Sequence, residues 1–199
     1  MQIATKGLVN GLKVGLLGGS FNPAHAGHLE ISLAALHRLG LDQVWWLVTP
    51  GNPLKDPDDY ADYDRRIAHA RDIGDHPQLH VSDIERRAGL VFTIDTIAYL
   101  KQHFSDTAFV WLMGADSLAG FHRWRDWQEI AKSLPMAILN RPGYGIKAMA
   151  SPAARSLARM RVPESMATSL ADQPHGWVFL PQTANNQSAT AIRATSPDW

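Results

Sequence analysis

At 199 residues, 45% of them hydrophobic, the chain has the length of one domain and enough apolar material to bury a proper core. Its 19 basic and 19 acidic residues cancel to a formal charge of zero. That balance argues against a nucleic-acid carrier or a basic membrane-surface protein and for a small-molecule partner. The absence of cysteine excludes a disulfide framework, thiol catalysis and a Cys-ligated metal.

No stretch approaches the ~20 apolar residues of a membrane span, and the first ten residues lack the apolar run of a signal peptide. A soluble, cytoplasmic protein is expected. Met1 to Leu12 is weakly patterned and reads as an arm leading into a first strand, Val14 to Leu17. Gly18-Gly19 and Ser20 to Pro23 then read as a turn, before an amphipathic helix from Gly27 to Leu39 with Gly40 as its C-cap. Strand, glycine turn and helix in that order aim free backbone amides and the positive end of a helix dipole at one point, which suits phosphate. His25 and His28 add two side-chain donors near the helix start, an arrangement fitted to gripping a polyphosphate. No third ligand at helical spacing supports a zinc site.

Gln43 to Val48 is continuously apolar, as a central buried strand requires. Thr49 to Asp59, with three prolines and a glycine, is a loop whose only cation is Lys55. It lies beyond the carboxyl end of a strand, where open α/β sheets bind ligands. Tyr63 to Ile73 reads as a charged helix, Leu79 to Ile84 as a strand and Phe92 to Leu100 as the opening of a helix, with Thr93 either its N-cap or presenting its amide to a ligand. Ala108 to Leu112 is a second buried strand. The acid after it, Asp116, is open to three readings: helix cap, acceptor for ribose hydroxyls, or help in positioning a metal ion.

Phe121 to Trp127 packs three aromatics and two arginines into seven residues, enough to build a stacking wall for a flat heterocycle. The alternative is that Trp124 and Trp127 form the core face of a helix. Met136 to Leu139 and Trp177 to Leu180 read as short strands, and Ser151 to Leu170 as helical with a break at Pro163. Finally Ser188 and Thr190, at a helix start with Arg193 one turn on, make a second anion grip of amides, hydroxyls and a guanidinium. The alternation predicts a Rossmann-like, doubly wound, mostly parallel sheet with helices on both faces, in a single domain spanning residues 1–199.

The string G-G-S-F-N-P-A-H-A-G-H, Gly18 to His28, resembles the signature of nucleotidyltransferases with an H-x-G-H motif. Within them it is most similar to the bacterial nicotinate-nucleotide adenylyltransferases. Ser188 to Arg193 resembles the second signature, S-S-T-x-I-R, with Ala189 in place of its middle serine. Asn22 stands where the family usually carries Asp, and Leu54 where its loop usually carries His before the lysine. The resemblance implies an adenylyltransferase that joins ATP to nicotinate mononucleotide. It implies ATP contacts at Gly18, Gly19, Ser20, Phe21, His25, His28, Gly114, Asp116, Ser188, Thr190 and Arg193. Mononucleotide contacts are implied at Ser20, Lys55, Thr93, Asp95, Trp124 and Arg125, with Trp124 stacked on the pyridine ring and the neighbourhood of Arg125 meeting the nicotinate carboxylate.

The attacking phosphate oxygen in such a reaction is already an anion, so no residue need remove a proton or form a covalent intermediate. The work is positioning and neutralising charge, with His25, His28 and Arg193 as the catalytic set and Mg2+ carried on the ATP phosphates. No metal site of the protein's own, no nucleic acid and no membrane partner is expected; a homo-oligomer is left open. Two alternatives remain at this point: transfer to nicotinamide mononucleotide or another acceptor of the same superfamily, and a non-catalytic nucleotide sensor.

Overall fold

The computed structural model describes residues 10–51, 60–140, 143–180, 189–195 and 199. Its strands are β1 (Lys13–Gly19), β2 (Gln43–Val48), β3 (Leu79–Ser82), β4 (Ala108–Gly114), β5 (Met136–Leu139) and β6 (Trp177–Leu180). They form one six-stranded sheet in the order β3-β2-β1-β4-β5-β6, and every neighbouring pair runs parallel. The sequence pattern predicted a mostly parallel sheet; the described strands are all parallel.

Buried residues alternate between two cores, one on each face, because successive side chains of a strand point to opposite sides. Val14, Leu16, Trp45, Leu47, Trp111, Met113, Met136, Ile138 and Trp177 pack on one face. Leu17, Val44, Trp46, Val48, Val110, Leu112, Ala137, Leu139, Val178 and Leu180 pack on the other. The first face is covered by α3 (Ile84–Ala88), α4 (Thr93–His103), α5 (Ala115–Gly120), α6 (Trp127–Ser133), α7 (Gly145–Met149) and α8 (Pro152–Ser156). The second is covered by α1 (Ala26–Leu39), α2 (Tyr63–Ile73) and the 3-10 helix Glu164–Asp172. The chain winds outward from β1 through β2 to β3, then crosses to β4 on the other side of β1. The carboxyl ends of β1 and β4 therefore flank the switch point where doubly wound sheets bind ligands.

Several elements depart from the sequence pattern for local reasons. Gly18 and Gly19 are the last two residues of β1, paired with Leu47 and Val48, and the turn begins only at Ser20. β3 stops at Ser82, whose hydroxyl accepts the Ile84 N–H at 3.1 Å and starts α3 instead. Helix α4 has Phe92 at its N-cap, so Thr93 is a helical residue and caps nothing. Gly114 occupies the N-cap of α5, which removes the capping reading of Asp116. The Ser151 to Leu170 stretch is not one helix. Ser151 caps α8, and then Arg161 and Val162 run beside β6, with the Val162 N–H donating to the Trp177 carbonyl at 2.9 Å. Trp124 lies between a short 3-10 turn, Phe121–Arg123, and α6, so it shares no helix face with Trp127. The C-cap at Gly40 is as expected, with φ +60°.

Gly18 is required by a rigid neighbour. A Cβ there would sit 2.8 Å from Cη2 and 2.9 Å from Cζ2 of the Trp111 indole. Trp111 in turn meets the Trp124 ring edge to face, centroids 6.3 Å apart. Gly18→Ala is expected to lower unfolding free energy by about 1–3 kcal/mol through overpacking, read as a drop in the urea midpoint without a change in slope. An unchanged midpoint would show that Trp111 has room to move.

Candidate active site

The turn after β1 is built on Phe21, a non-glycine residue held at φ +45°. Such a conformation persists only where the surroundings fix it. Here the ring is buried and stacks on Trp46 at 5.0 Å, with the His28 ring 4.7 Å from it and 5.9 Å from Trp46. The Asn22 side chain, 3% exposed, accepts the Ala61 N–H at 3.0 Å and clips the turn to the start of α2. Asn serves this contact through its carbonyl oxygen, as a carboxylate would.

His25 is the N-cap of α1 and His28 its N3 residue. The His25 N–H donates to His28 Nδ1 at 3.2 Å, and the two rings lie 3.9 Å apart. With Nδ1 committed as acceptor, the neutral His28 ring carries its proton on Nε2. Arg193, on α9 (Ala189–Thr195), donates from its guanidinium to the Asn22 carbonyl, three residues before His25. The two anion grips that the sequence separates by more than 150 residues thus meet at one turn. Thr190 lies on the same short helix and is exposed. Ser188 and Lys55, both expected at this site, fall outside the described residues.

Across the switch point the β1–β4 ladder ends at Leu17–Leu112, and Gly19 and Gly114 lie two residues beyond it as the last residues of their strands. Gly114 is buried and Asp116 exposed in the first turn of α5. Trp124 is half-buried, held edge to face by Trp111 and Phe121. The Arg125 guanidinium lies 4.5 Å from the ring centroid of Phe92, just before Thr93 and Asp95 on α4. The two segments expected to meet the mononucleotide therefore touch each other. Among the described residues no group of three His, Asp or Glu side chains is placed to hold a metal ion.

Sequence reasoning missed the groups that fix this edge from beneath. Arg66 is 1% exposed. Its Nη1 donates to the carbonyls of Ser20 at 2.6 Å and Thr49 at 2.9 Å; its Nη2 donates to Pro50 at 3.0 Å and its Nε to Ala61 at 3.1 Å. Burial pulls its pKa down. The Tyr63 phenol donates to the Val48 carbonyl at 2.9 Å, and burial pushes its pKa up to about 12 despite the nearby Arg86 charge. A signal existed: Tyr63, Arg66, Ile67 and Ala70 occupy one helical stripe, and an arginine in such a stripe must be either solvated or partnered inside. Glu85, 7% exposed, accepts the Thr96 hydroxyl at 2.9 Å and a second bond from Thr49, tying α4 to the end of β2.

The cytidylyltransferase-like family matches residues 16–195. A Bradyrhizobium sp. (strain BTAi1) protein named "Probable nicotinate-nucleotide adenylyltransferase" is 49% identical over 189 residues, covering 94% of this chain and 98% of that one. A Cereibacter sphaeroides (strain ATCC 17025) protein of the same name is 53% identical over 182 residues, covering 92% and 97%. Among solved structures, the fold is similar to Plasmodium falciparum nicotinic acid mononucleotide adenylyltransferase complexed with NaAD, with a TM-score of 0.68 at 13% identity, covering 92% of this chain and 83% of that one.

Burial raises the Glu85 carboxyl above its ordinary value of 4.5, and the bonds from Thr96 and Thr49 only partly offset this. A raised acid pKa means that the fold favours the protonated form. The associated stability is present below about pH 4.5 and lost as pH rises through the folded-state value. Glu85→Gln keeps an acceptor for both threonines and removes the buried charge. It is expected to melt above wild type at pH 7, with the gap closing toward pH 4. A gap that is constant with pH would show that the carboxyl carries no such charge.

Proposed function

The chain belongs to the cytidylyltransferase-like nucleotidyltransferases and, within them, to the nicotinate-nucleotide adenylyltransferases, and on that footing we propose how its residues carry the reaction. The enzyme transfers the adenylyl group of ATP to nicotinate mononucleotide, giving nicotinate adenine dinucleotide and pyrophosphate in NAD biosynthesis. A mononucleotide phosphate oxygen forms a bond to the α-phosphorus as the bond to the bridging oxygen of pyrophosphate breaks. The nucleophile is already ionised, so the barrier is set by repulsion between phosphates and by charge building on the α-phosphate and the leaving group.

The observation that carries the assignment is the Arg193 guanidinium bonded to Asn22 in the turn that bears His25 and His28. His28 bonds the α-phosphate through its Nε2 side as charge develops. His25 and the amides after Gly19 take the remaining phosphate oxygens; Arg193, Thr190, Ser188 and Lys55 hold the departing pyrophosphate. Gly114 and Asp116, at the carboxyl end of β4, face the nucleoside. Trp124 stacks on the pyridine ring, while Thr93, Asp95 and Arg125 bound the acid end of the mononucleotide.

Nucleotidyltransferases of this family typically use a divalent cation. Mg2+ fits here as part of the MgATP substrate: it is held through phosphate oxygens and water, and needs no cage of protein carboxylates. Among the described residues no helix is long and apolar enough to cross a membrane, and with both substrates small and water-soluble we place the enzyme in the cytoplasm.

His28→Ala is expected to lower kcat by about two to three orders of magnitude, the loss of one transition-state donor, with the fold intact by circular dichroism. A coupled pyrophosphate assay reads it, and near-wild-type turnover would refute the role. The same assay separates acid from amide. Arg125→Ala should narrow the kcat/KM preference for nicotinate over nicotinamide mononucleotide, and an unchanged ratio would remove Arg125 from carboxylate recognition.

A further inference from the structure

Three of the four carbonyls that Arg66 gathers lie at the carboxyl ends of β1 and β2, and the fourth belongs to Ala61, just before α2. Parallel strands end with carbonyls that no further ladder partner satisfies, and at a binding edge water is not free to satisfy them all. The guanidinium does so with Nη1 and Nη2, and its Nε takes the Ala61 carbonyl as well. Its Cζ also lies 5.0 Å from the ring centroids of both Tyr60 and Tyr63. Among the described residues no carboxylate forms an ion pair with it. A buried cation whose hydrogen bonds all go to carbonyls, with the Asp62 charge near but not bonded to it, tolerates little displacement, because each lost bond leaves charge and oxygen unsatisfied together.

Each of these carbonyls belongs to backbone that the site depends on. Ser20 begins the turn that carries His25 and His28, and Thr49 to Gly51 leads away from β2 on the neighbouring side. Ala61 is also the residue whose N–H bonds the Asn22 side chain, in the same turn that receives Arg193. We propose that Arg66 is a positioning residue for adenylyl transfer: its fork sets the separation and orientation of the Ser20 turn and the Thr49–Pro50 segment, and through them the alignment of the two phosphates. The inference rests on the placement of the phosphate grip at His25 and His28. Arg66 touches no substrate; it acts through backbone. Lysine at this position keeps the charge and cannot bond carbonyls in four directions with a planar fork.

The test is Arg66→Lys and Arg66→Ala, assayed with MgATP and nicotinate mononucleotide, with rates expressed per folded molecule. For Arg66→Lys, kcat is expected to fall about tenfold to a hundredfold, the scale of a misplacement near 1 Å, while KM for ATP stays within about threefold. Millimolar guanidinium should restore part of the lost kcat in Arg66→Ala, and ammonium at the same concentration should not. A role confined to stability would lower Tm in both variants and leave kcat per folded molecule unchanged. That result, or equal rescue by ammonium, overturns the proposal.

Should the Arg66 variants fail to fold, Tyr63→Phe carries the test. It removes only the phenol's bond to Val48 at the same strand end, and a severalfold fall in kcat at constant KM is expected. An unchanged kcat in Tyr63→Phe then overturns the proposal. His28→Ala, run in parallel, separates the two levels. Full activity there would strike the site assignment itself, whereas an unaffected Arg66→Lys strikes only the positioning role.

Discussion

Strands that end together leave their last carbonyls pointing into the place where a ligand must bind, and those oxygens repel the phosphates that an anion site exists to hold. In this protein the oxygens after β1 and β2 are turned inward onto the Arg66 guanidinium, and the Val48 carbonyl onto the Tyr63 phenol. The groups proposed for the phosphates are the donor side of the same backbone, the imidazoles of His25 and His28, which lie against each other, and, from the far end of the chain, Arg193, which bonds the same turn. The buried charge and the proposed phosphate grip are two sides of one solution to a carbonyl-rich edge.

The rest of the site follows from that arrangement. Phe21 is held at a positive φ because its ring is fixed against Trp46 and His28, and the turn so made brings His25 to the N-cap of α1. On the β4 side a packing chain runs from Gly18 through Trp111 to Trp124, so the wall proposed for the pyridine ring is set by the same strand that starts the phosphate grip. Glu85 links α4 to the end of β2 from the opposite core. Two buried ionisable groups, one cationic and one acidic, thus brace the β2 end from opposite faces of the sheet. Neither has a place in the chemistry.

Much of this was legible in residue order. Alternating apolar runs and helical stripes gave the doubly wound sheet, and Gly40 marked the end of α1. The meeting of His25, His28 and Arg193 was readable only through signatures, since nothing in spacing brings residue 193 to residue 25. What stayed hidden was tertiary in origin. Thr93 and Asp116 look like caps, but Phe92 takes the N-cap of α4 and Gly114, the last residue of β4, that of α5. The Ser151 to Leu170 periodicity was overridden because Arg161 and Val162 pair with β6. Arg66 reads as one more surface charge on a charged helix, because the carbonyls that claim it come from segments up to 46 residues away.

In the proposed mechanism the protein aligns and neutralises anions without moving a proton. The most direct measurement is the solvent deuterium isotope effect on pyrophosphate release in a single turnover, with enzyme in excess and both substrates saturating. A ratio close to unity across the pH range where the mononucleotide phosphate stays fully ionised is the predicted result. A clear normal effect in the chemical step would mean that a proton is in flight in the transition state, and would contradict the account.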